Sequence, residues 1–258
     1  MIGTHGTVDI LGYNICNGGL QQQVELATDL MGRKELGHYM ACANPHSIVV
    51  ASNDLVFQAA LRSASILLPD GIGVVLASRM LQTPVAGRIT GWDFFSGVSE
   101  RLNSCGGARY FFLGSTAGVL ELMVTRLRDE YPNITVCGTY SPPFQSEFTV
   151  GDNQKMIDVV NGAKPDVLWV GMTAPKQEKW IYENRGRLEV PFSAAIGAVF
   201  DFYAGTKKRS SPFWQKLGLE WLPRFLREPR RLWERNLKST PMFLSWVFKE
   251  KAKRLVRR

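Results

Sequence analysis

The sequence predicts a Rossmann-like α/β fold, in which a mostly parallel sheet is flanked by helices. Short apolar runs rich in β-formers alternate with longer segments of helical spacing, which is the pattern of successive β-α units. The 258 residues, 45% of them hydrophobic, suffice for one sizeable core. We find no internal repeat or low-complexity linker, and the marked shift in composition falls near Gly205.

The alternation can be followed along the chain. The predicted strands are, in order, VDILG (8–12), HYMACAN (38–44), SILLPDG (65–71), ARYFFLGS (108–115), TVCGTY (135–140), DVLWVGM (166–172) and SAAIGAVFD (193–201). Helices are predicted at 46–62, 72–81, 116–130, 153–162 and 175–188.

Charge divides the chain into two predicted domains. Residues 206–258 carry 16 Lys and Arg against 4 Asp and Glu, with four of the seven Trp, whereas residues 1–205 carry 15 against 19. This asymmetry predicts a catalytic domain at 1–205 and a basic, Trp-rich helical appendage at 206–258 that meets an anionic surface. A nucleic-acid-binding protein with Trp stacking on bases is the alternative, although the appendage contains no recognised module.

The cysteines and the apolar segments indicate the compartment. Four widely separated cysteines, with no metal-ligand spacing among them, favour reduced thiols. The first residues lack the features of a signal peptide, and no window resembles a spanning helix. We therefore expect a cytoplasmic protein whose membrane contact, if any, is peripheral.

Common cofactor and phosphate motifs are absent from the sequence. Neither G-x-G-x-x-G nor G-x-x-x-x-G-K-[ST] occurs, and no D-x-D pair offers a metal tether. We expect no cofactor and no metal, so backbone amides and arginines would bind any phosphate. GSTAG (114–118) and GMTAPKQE (171–178) each place polar groups at a predicted helix start, with Lys176 and Gln177 directed outward. Ordinary helix capping is the alternative for both.

Polar and glycine residues follow the predicted strands, at the edge where parallel α/β sheets bind ligands. They are Asn44, Asp70, Gly114 to Thr116, Tyr140, Gly171 to Thr173 and Asp201. Turn chemistry explains the glycines, but a carboxylate beside a buried strand carries a desolvation cost. Asp70 and Asp201 are therefore the stronger functional candidates.

Six ordered motifs resemble those of one family of enzymes. They are PDGIGVV (69–75), RITGWD (88–93), GMTAPKQE (171–178), GAVFDFYAG (197–205), GLEWLPR (218–224) and EPRRLWER (228–235). Together they resemble the WecG/TagA/CpsF family of bacterial glycosyltransferases, from about residue 8 to 238. The resemblance implies inverting, metal-independent transfer from a UDP-sugar to a polyprenyl-diphosphate-linked saccharide during cell-surface or exopolysaccharide biosynthesis. N-acetylmannosamine, its uronic acid and glucose are alternative donor sugars.

The resemblance assigns the catalytic base to Asp70, and the position at a predicted ligand edge agrees with that role. Helix N-capping is the alternative for this carboxylate. Asn44 matches a substrate-pocket position, and Cys42 stands where the family usually has Thr.

Other pocket residues are assigned to the donor. Arg88 and Gln177 match positions for the sugar and diphosphate, while Gly114 and Ser115 offer phosphate-binding groups. Asp201 is expected to accept the uracil N3–H, and Tyr140 to stack on the base.

The appendage is assigned two tasks. The resemblance carries Arg224, Arg231 and Arg235 into the active site, where they would stabilise the UDP leaving group. Aromatic and cationic residues at 241–258 are expected to rest on an anionic membrane at its inner face. The alternative is a packed helix with a solvated basic end. The sequence leaves homo-oligomer formation open.

Overall fold

A computed structural model of the protein describes residues 6–211, 214 and 238–256. The strands are β1 (Thr7–Ile10), β2 (Tyr13–Cys16), β3 (His38–Ala43), β4 (Ile66–Pro69), β5 (Arg109–Gly114), β6 (Thr135–Tyr140), β7 (Val167–Gly171) and β8 (Phe192–Ala195). The helices are α1 (Leu20–Arg33), α2 (Pro45–Ala51), α3 (Leu55–Arg62), α4 (Ile72–Met80), α5 (Gly91–Ser104), α6 (Ala117–Glu130), α7 (Val150–Ala163), α8 (Lys176–Asn184), α9 (Val199–Tyr203) and α10 (Thr240–Val256).

Six strands form one sheet in the order β4-β3-β8-β7-β5-β6, and every neighbouring pair is parallel. The strands are buried on both faces: Tyr110 and Phe112 enter one core cluster, whereas Phe111 and Leu113 enter another. Continuous apolar strands are typical of parallel sheets that are covered by helices on both sides. The predicted α/β class and the helical C-terminal segment are confirmed.

The helices divide between the two faces of the sheet. Buried side chains of α1, α5, α6 and α9 share one core cluster. On the opposite face, α7 and α8 pack in a second cluster, and α2, α3, α4 and α10 pack in a third with the β1–β2 hairpin. The helices that follow β5 and β7 thus leave on opposite faces, an arrangement that opens a ligand crevice at the carboxyl ends of such strands.

The first predicted strand lies outside the parallel sheet. β1 pairs antiparallel with β2, a strand that the sequence reading did not identify. Leu11 and Gly12 connect them with φ values of 57° and 82°. Positive φ at both loop residues matches a two-residue hairpin turn. β1 therefore pairs with the strand that directly follows it and not with the parallel sheet.

Several predicted elements have different boundaries. The predicted helix at 46–62 is two helices, because Asp54 begins α3 by accepting a hydrogen bond from the Phe57 N–H. The predicted strand at 193–201 ends at Ala195, and its last part is α9. Helices α1 and α5 were not predicted.

The C-terminal helix α10 packs against the α/β body. Phe243 and Val247 are fully buried in the cluster that contains α2 and α4. His46 Nδ1 lies 2.9 Å from Ser239 Oγ, which ties the residue before α10 to the first turn of α2. Across the described ranges, no helix has the length and apolar character required to cross a bilayer.

Candidate active site

Asp70 lies where β4 ends, at the carboxyl edge of the sheet. Its N–H donates to the carbonyls of Ala43 and Leu68, each at 2.9 Å, and the residue is half-buried. Gly71 occupies the N-cap position of α4, and Asp70 directly precedes it. Asp70 therefore lies between the end of a strand and the start of a helix.

Asn44 lies beside Asp70 on the neighbouring strand end. Ala43 pairs with Pro69 in the parallel ladder, so the two residues that follow are adjacent. The Asn44 side-chain oxygen accepts from the Ser47 N–H at 2.9 Å and caps α2. Since that N–H can only donate, the amide oxygen is committed to the helix and the Nδ2 group is the part left for a ligand.

Two glycines allow the chain to pack closely beside Asp70. Gly71 has φ +115°, a conformation that side chains other than glycine disfavour. A Cβ added at Gly73 would lie 2.5 Å from Pro45 Cγ, so α4 approaches the start of α2 closely. The first turns of α2 and α4 therefore lie close together, next to Asp70.

Arg88 belongs to a segment that runs alongside the end of β4. The Ile89 N–H donates to the Pro69 carbonyl at 3.0 Å. The backbone of Arg88, the preceding residue, therefore lies near that of Asp70. Arg88 is half-buried. The structure thus brings together Asn44, Asp70 and Arg88, and we refer to this region, with α2 and α4, as the β4 side.

Gly114 and Ser115 lie where β5 meets β7. A Cβ at Gly114 would come within 2.4 Å of the Gly171 carbonyl oxygen, and φ at Gly114 is +125°. The Ser115 N–H donates to the same oxygen at 3.0 Å, so that amide is already used within the protein. Thr116 caps α6 by accepting from the Val119 N–H. Capping, the alternative considered from sequence, is thus present at this helix start.

Tyr140 is the last residue of β6, the outermost strand on the other edge. Lys155 Nζ lies 5.7 Å from the centre of its ring. Five strand spacings separate β4 from β6, or about 24 Å at roughly 4.8 Å per spacing. Tyr140 is therefore the assigned residue furthest from Asp70 across the sheet.

Gln177 is buried at the start of α8, not directed outward as the sequence suggested. Its Oε1 accepts from the Met172 N–H at 3.3 Å, and its Nε2 donates to Glu178 Oε1 at 2.9 Å. Lys176 is half-buried; its Nζ donates to the Gln145 carbonyl and lies 3.6 Å from the centre of the Phe148 ring. Burial lowers the pKa of the Lys176 ammonium.

Asp201 lies within α9 rather than directly after a strand. The sequence reading placed it at a strand end because AVFD is apolar, but β8 stops at Ala195 and the next residues turn into a helix. Its Oδ2 accepts from Lys207 Nζ at 2.6 Å. A uracil N3–H would have to share this carboxylate with Lys207.

The three assigned arginines of the appendage, Arg224, Arg231 and Arg235, lie outside the described residues. The first residues of the appendage are described: Arg209 Nη2 lies 3.5 Å from Asp93 Oδ1, and the guanidinium lies over the Trp92 ring. The appendage thus begins against α5, next to the segment that carries Arg88.

Among the described residues, no group of three or more His, Cys, Asp and Glu side chains is placed to hold a metal ion.

Comparison with known proteins decides the family. A model described as the "Glycosyl transferase WecG/TagA/CpsF family" matches residues 8–257. This chain belongs to that family. Membership confirms the resemblance drawn from the motifs and makes the protein a glycosyltransferase.

Two of the curated relatives most similar to this family member carry the same name. The N-acetylglucosaminyldiphosphoundecaprenol N-acetyl-beta-D-mannosaminyltransferase of Bacillus spizizenii is 32% identical over 213 residues, covering 83% of this chain and 79% of the relative. The protein of the same name from Staphylococcus aureus strain MW2 is 31% identical over 247 residues, covering 95% and 94%. The likeness thus extends over nearly the whole of the Staphylococcus chain.

Two features of this glycosyltransferase site were missed by sequence reasoning. Glu178 is buried beside Gln177, although a glutamate in the first turn of a helix is usually solvated and favoured there by the helix dipole. Gly197, with φ +48°, lies against the Gln177 amide, where an added Cβ would come within 3.3 Å of both amide atoms. Both residues belong to motifs of the family resemblance, GMTAPKQE and GAVFDFYAG. Their spacing in the sequence does not indicate that they are packed inside the protein.

Proposed function

We propose that this glycosyltransferase moves N-acetylmannosamine from its UDP-activated form onto a polyprenyl-diphosphate-linked acceptor ending in N-acetylglucosamine. The name that both relatives carry supports this choice of sugar and acceptor. The uronic acid of N-acetylmannosamine and glucose are the competing donors. Such a product would serve bacterial cell-surface or exopolysaccharide biosynthesis.

The observation that carries the mechanism is the placement of Asp70. A half-buried carboxylate at the carboxyl end of β4, beside Asn44 and the Arg88 segment, can take the proton of the attacking acceptor hydroxyl. The hydroxyl oxygen then bonds to the anomeric carbon, while the bond from that carbon to the UDP oxygen breaks. Attack opposite the leaving group inverts the anomeric centre, and UDP departs with the electron pair.

Donor contacts follow from the sheet order. Asn44 Nδ2 and Arg88 are assigned to the sugar and diphosphate next to Asp70, and Gln177 to the same ligand from the β7 end. Gly114, Ser115 and Tyr140 line the continuation of that edge, and Asp201 is assigned to the uracil. The assigned contacts run along the sheet edge from β4 towards β6. The donor must therefore bind in an extended conformation to reach Tyr140.

Charge on the leaving group requires a counter-charge. We assign this role to Arg224, Arg231 and Arg235, because guanidinium groups bind diphosphate oxygens in pairs and keep their charge. No metal is required in this mechanism. The division into a catalytic domain at 1–205 and an appendage at 206–258 follows from the same assignment.

Membrane attachment is assigned to the exposed surface of α10. Met242, Phe248 and Leu255 are exposed apolar side chains of this helix, away from the buried Phe243 and Val247, and Lys249 and Lys253 are exposed on the same helix. Apolar residues flanked by cations are suited to an anionic membrane surface. We place the protein at the cytoplasmic face, where it would meet its lipid-linked acceptor.

The experiment incubates purified protein with a short-chain polyprenyl-diphosphate N-acetylglucosamine and each of three UDP-sugars: N-acetylmannosamine, its uronic acid and glucose. Mass spectrometry should show the acceptor extended by N-acetylmannosamine, and NMR should show a β linkage from an α-linked donor. EDTA should leave the rate unchanged. Transfer of another sugar would overturn the donor assignment, a retained anomeric configuration would overturn inversion, and loss of the rate in EDTA would overturn metal independence.

A further inference from the structure

The start of α8 contains a carboxyl group that the mechanism above does not use. Glu178 is 2% exposed, and its Oε2 has no hydrogen-bond partner among the described residues. Its Oε1 accepts from Gln177 Nε2 at 2.9 Å. A buried acid with half of its hydrogen-bonding capacity unused costs stability, so its retention calls for a compensating role.

The hydrogen bonds of Gln177 show what this carboxyl does. The Met172 N–H can only donate, so it selects the amide oxygen of Gln177, at 3.3 Å. Glu178 Oε1 then takes one of the two Nε2 hydrogens. An amide has one acceptor and two donor hydrogens, so these two contacts prevent a flip and leave one N–H for a further partner.

The surroundings hold the amide at the ligand edge. Met172 directly follows β7, and Gly197 follows β8 with its backbone so close that an added Cβ would lie 3.3 Å from both Gln177 amide atoms. Gln177 is itself 4% exposed, so few other orientations are open to it. The amide is thus confined on one side by Gly197 and oriented on the other by Glu178.

We propose that Glu178 is a positioning residue of the donor site: it fixes the Gln177 amide so that the remaining Nε2 hydrogen is available to the UDP-sugar. This inference rests on the proposed function, in which Gln177 contacts the donor. Burial raises the pKa of the Glu178 carboxyl to about 7. Since a carboxylic acid and a carboxylate both present an acceptor oxygen, the contact with Gln177 is compatible with either form.

The test compares steady-state kinetics of the full chain with UDP-N-acetylmannosamine as the varied donor. Glu178→Leu removes the acceptor and should raise the donor KM about tenfold, the effect of losing roughly one hydrogen bond, with the acceptor KM unchanged. Glu178→Gln keeps an acceptor oxygen and should stay within about threefold of the parent protein. Gln177→Ala should raise the donor KM, and adding Glu178→Leu to it should have no further effect, because residues that act through one another are non-additive.

Asn184→Leu is the matched control, since Asn184 is a buried polar residue on the same helix whose Nδ2 donates to the Trp180 carbonyl. It should lower Tm without changing the donor KM. If Glu178→Leu does not fold, Glu178→Asp withdraws the acceptor by one methylene and should show the same rise in KM.

Unchanged donor KM in the Glu178 variant that folds, or additive effects in the double variant, would overturn the positioning role. An unchanged donor KM in Gln177→Ala would overturn it as well. These outcomes differ from failure of the proposed function, in which the parent protein itself transfers none of the three sugars.

Discussion

The two ends of the candidate site differ in how their carboxyl groups are held. On the β4 side, Asp70 is half-buried at the carboxyl end of the parallel sheet. On what we call the β7 side, formed by the ends of β5 and β7 and the start of α8, Glu178 is sealed inside and engaged with Gln177. The contrast teaches that an accessible carboxylate suits proton transfer, whereas an enclosed one suits the fixing of another side chain.

Asp70→Asn should separate chemistry from binding on the β4 side. The amide cannot accept the hydroxyl proton as a base, so kcat should fall by about 10² to 10⁴-fold. UDP affinity, measured by calorimetry, should change less than about threefold, because the assigned donor contacts lie on other residues.

Asp93→Asn provides the comparison for that variant, since Asp93 caps α5 beside the Arg88 segment. Its substitution should affect Tm more than kcat. Turnover preserved in Asp70→Asn would break the contrast between the two ends, because neither carboxyl would then act on the substrate.

Gly114→Ala should show that the β7 side depends on close packing. The new Cβ would lie 2.4 Å from the Gly171 carbonyl oxygen, and φ at this position is +125°. Overpacking and backbone strain together should lower the free energy of unfolding by about 3 kcal/mol, measured in urea. Gly118→Ala, four residues on, meets no atom within 4 Å and should leave stability equal or raise it by about 0.5 kcal/mol. Equal losses in the two variants would contradict the packing argument.

The β4 side could be predicted from sequence more fully than the β7 side. Asn44 and Asp70 directly follow apolar runs, and the parallel ladder brings such positions together at one edge. The orientation of Gln177 depends on its contacts with Met172 and Gly197, and Glu178 is buried in the first turn of a helix. No simple period in the sequence predicts either feature. Asp201 was misplaced for a related reason, since an apolar run alone does not distinguish a strand from the short helix that follows it.

Glu178→Gln should reveal how much the buried carboxyl lowers the free energy of unfolding, when that free energy is measured as a function of pH. The folded-state pKa of about 7 lies above the ordinary value of 4.5, so the folded protein binds more protons between these pH values. The free energy of unfolding contributed by this group therefore falls as pH rises from about 4.5 to 7. Relative to the parent protein, Glu178→Gln should be similar at pH 4.5 and more stable by about 2–3 kcal/mol at pH 8. A stability difference that is constant with pH would show that Glu178 is ionised at little cost.

Phe248→Ser should test whether the β4 side is the one that meets the membrane. The His46–Ser239 contact and the burial of Phe243 attach α10 to α2 and α4, so its exposed surface lies on the side of the site where Asp70 would receive a lipid-linked acceptor. Phe248 is 61% exposed, and losing its partial insertion should weaken binding to anionic vesicles about fivefold, for a free energy near 1 kcal/mol. Phe144→Ser is the matched control, because Phe144 is a fully exposed phenylalanine in the loop after β6. Sedimentation with the vesicles should show a loss for Phe248→Ser alone. Equal loss in both variants would mean that exposed aromatic surface in general drives binding, and the acceptor would no longer be tied to the β4 side by this helix.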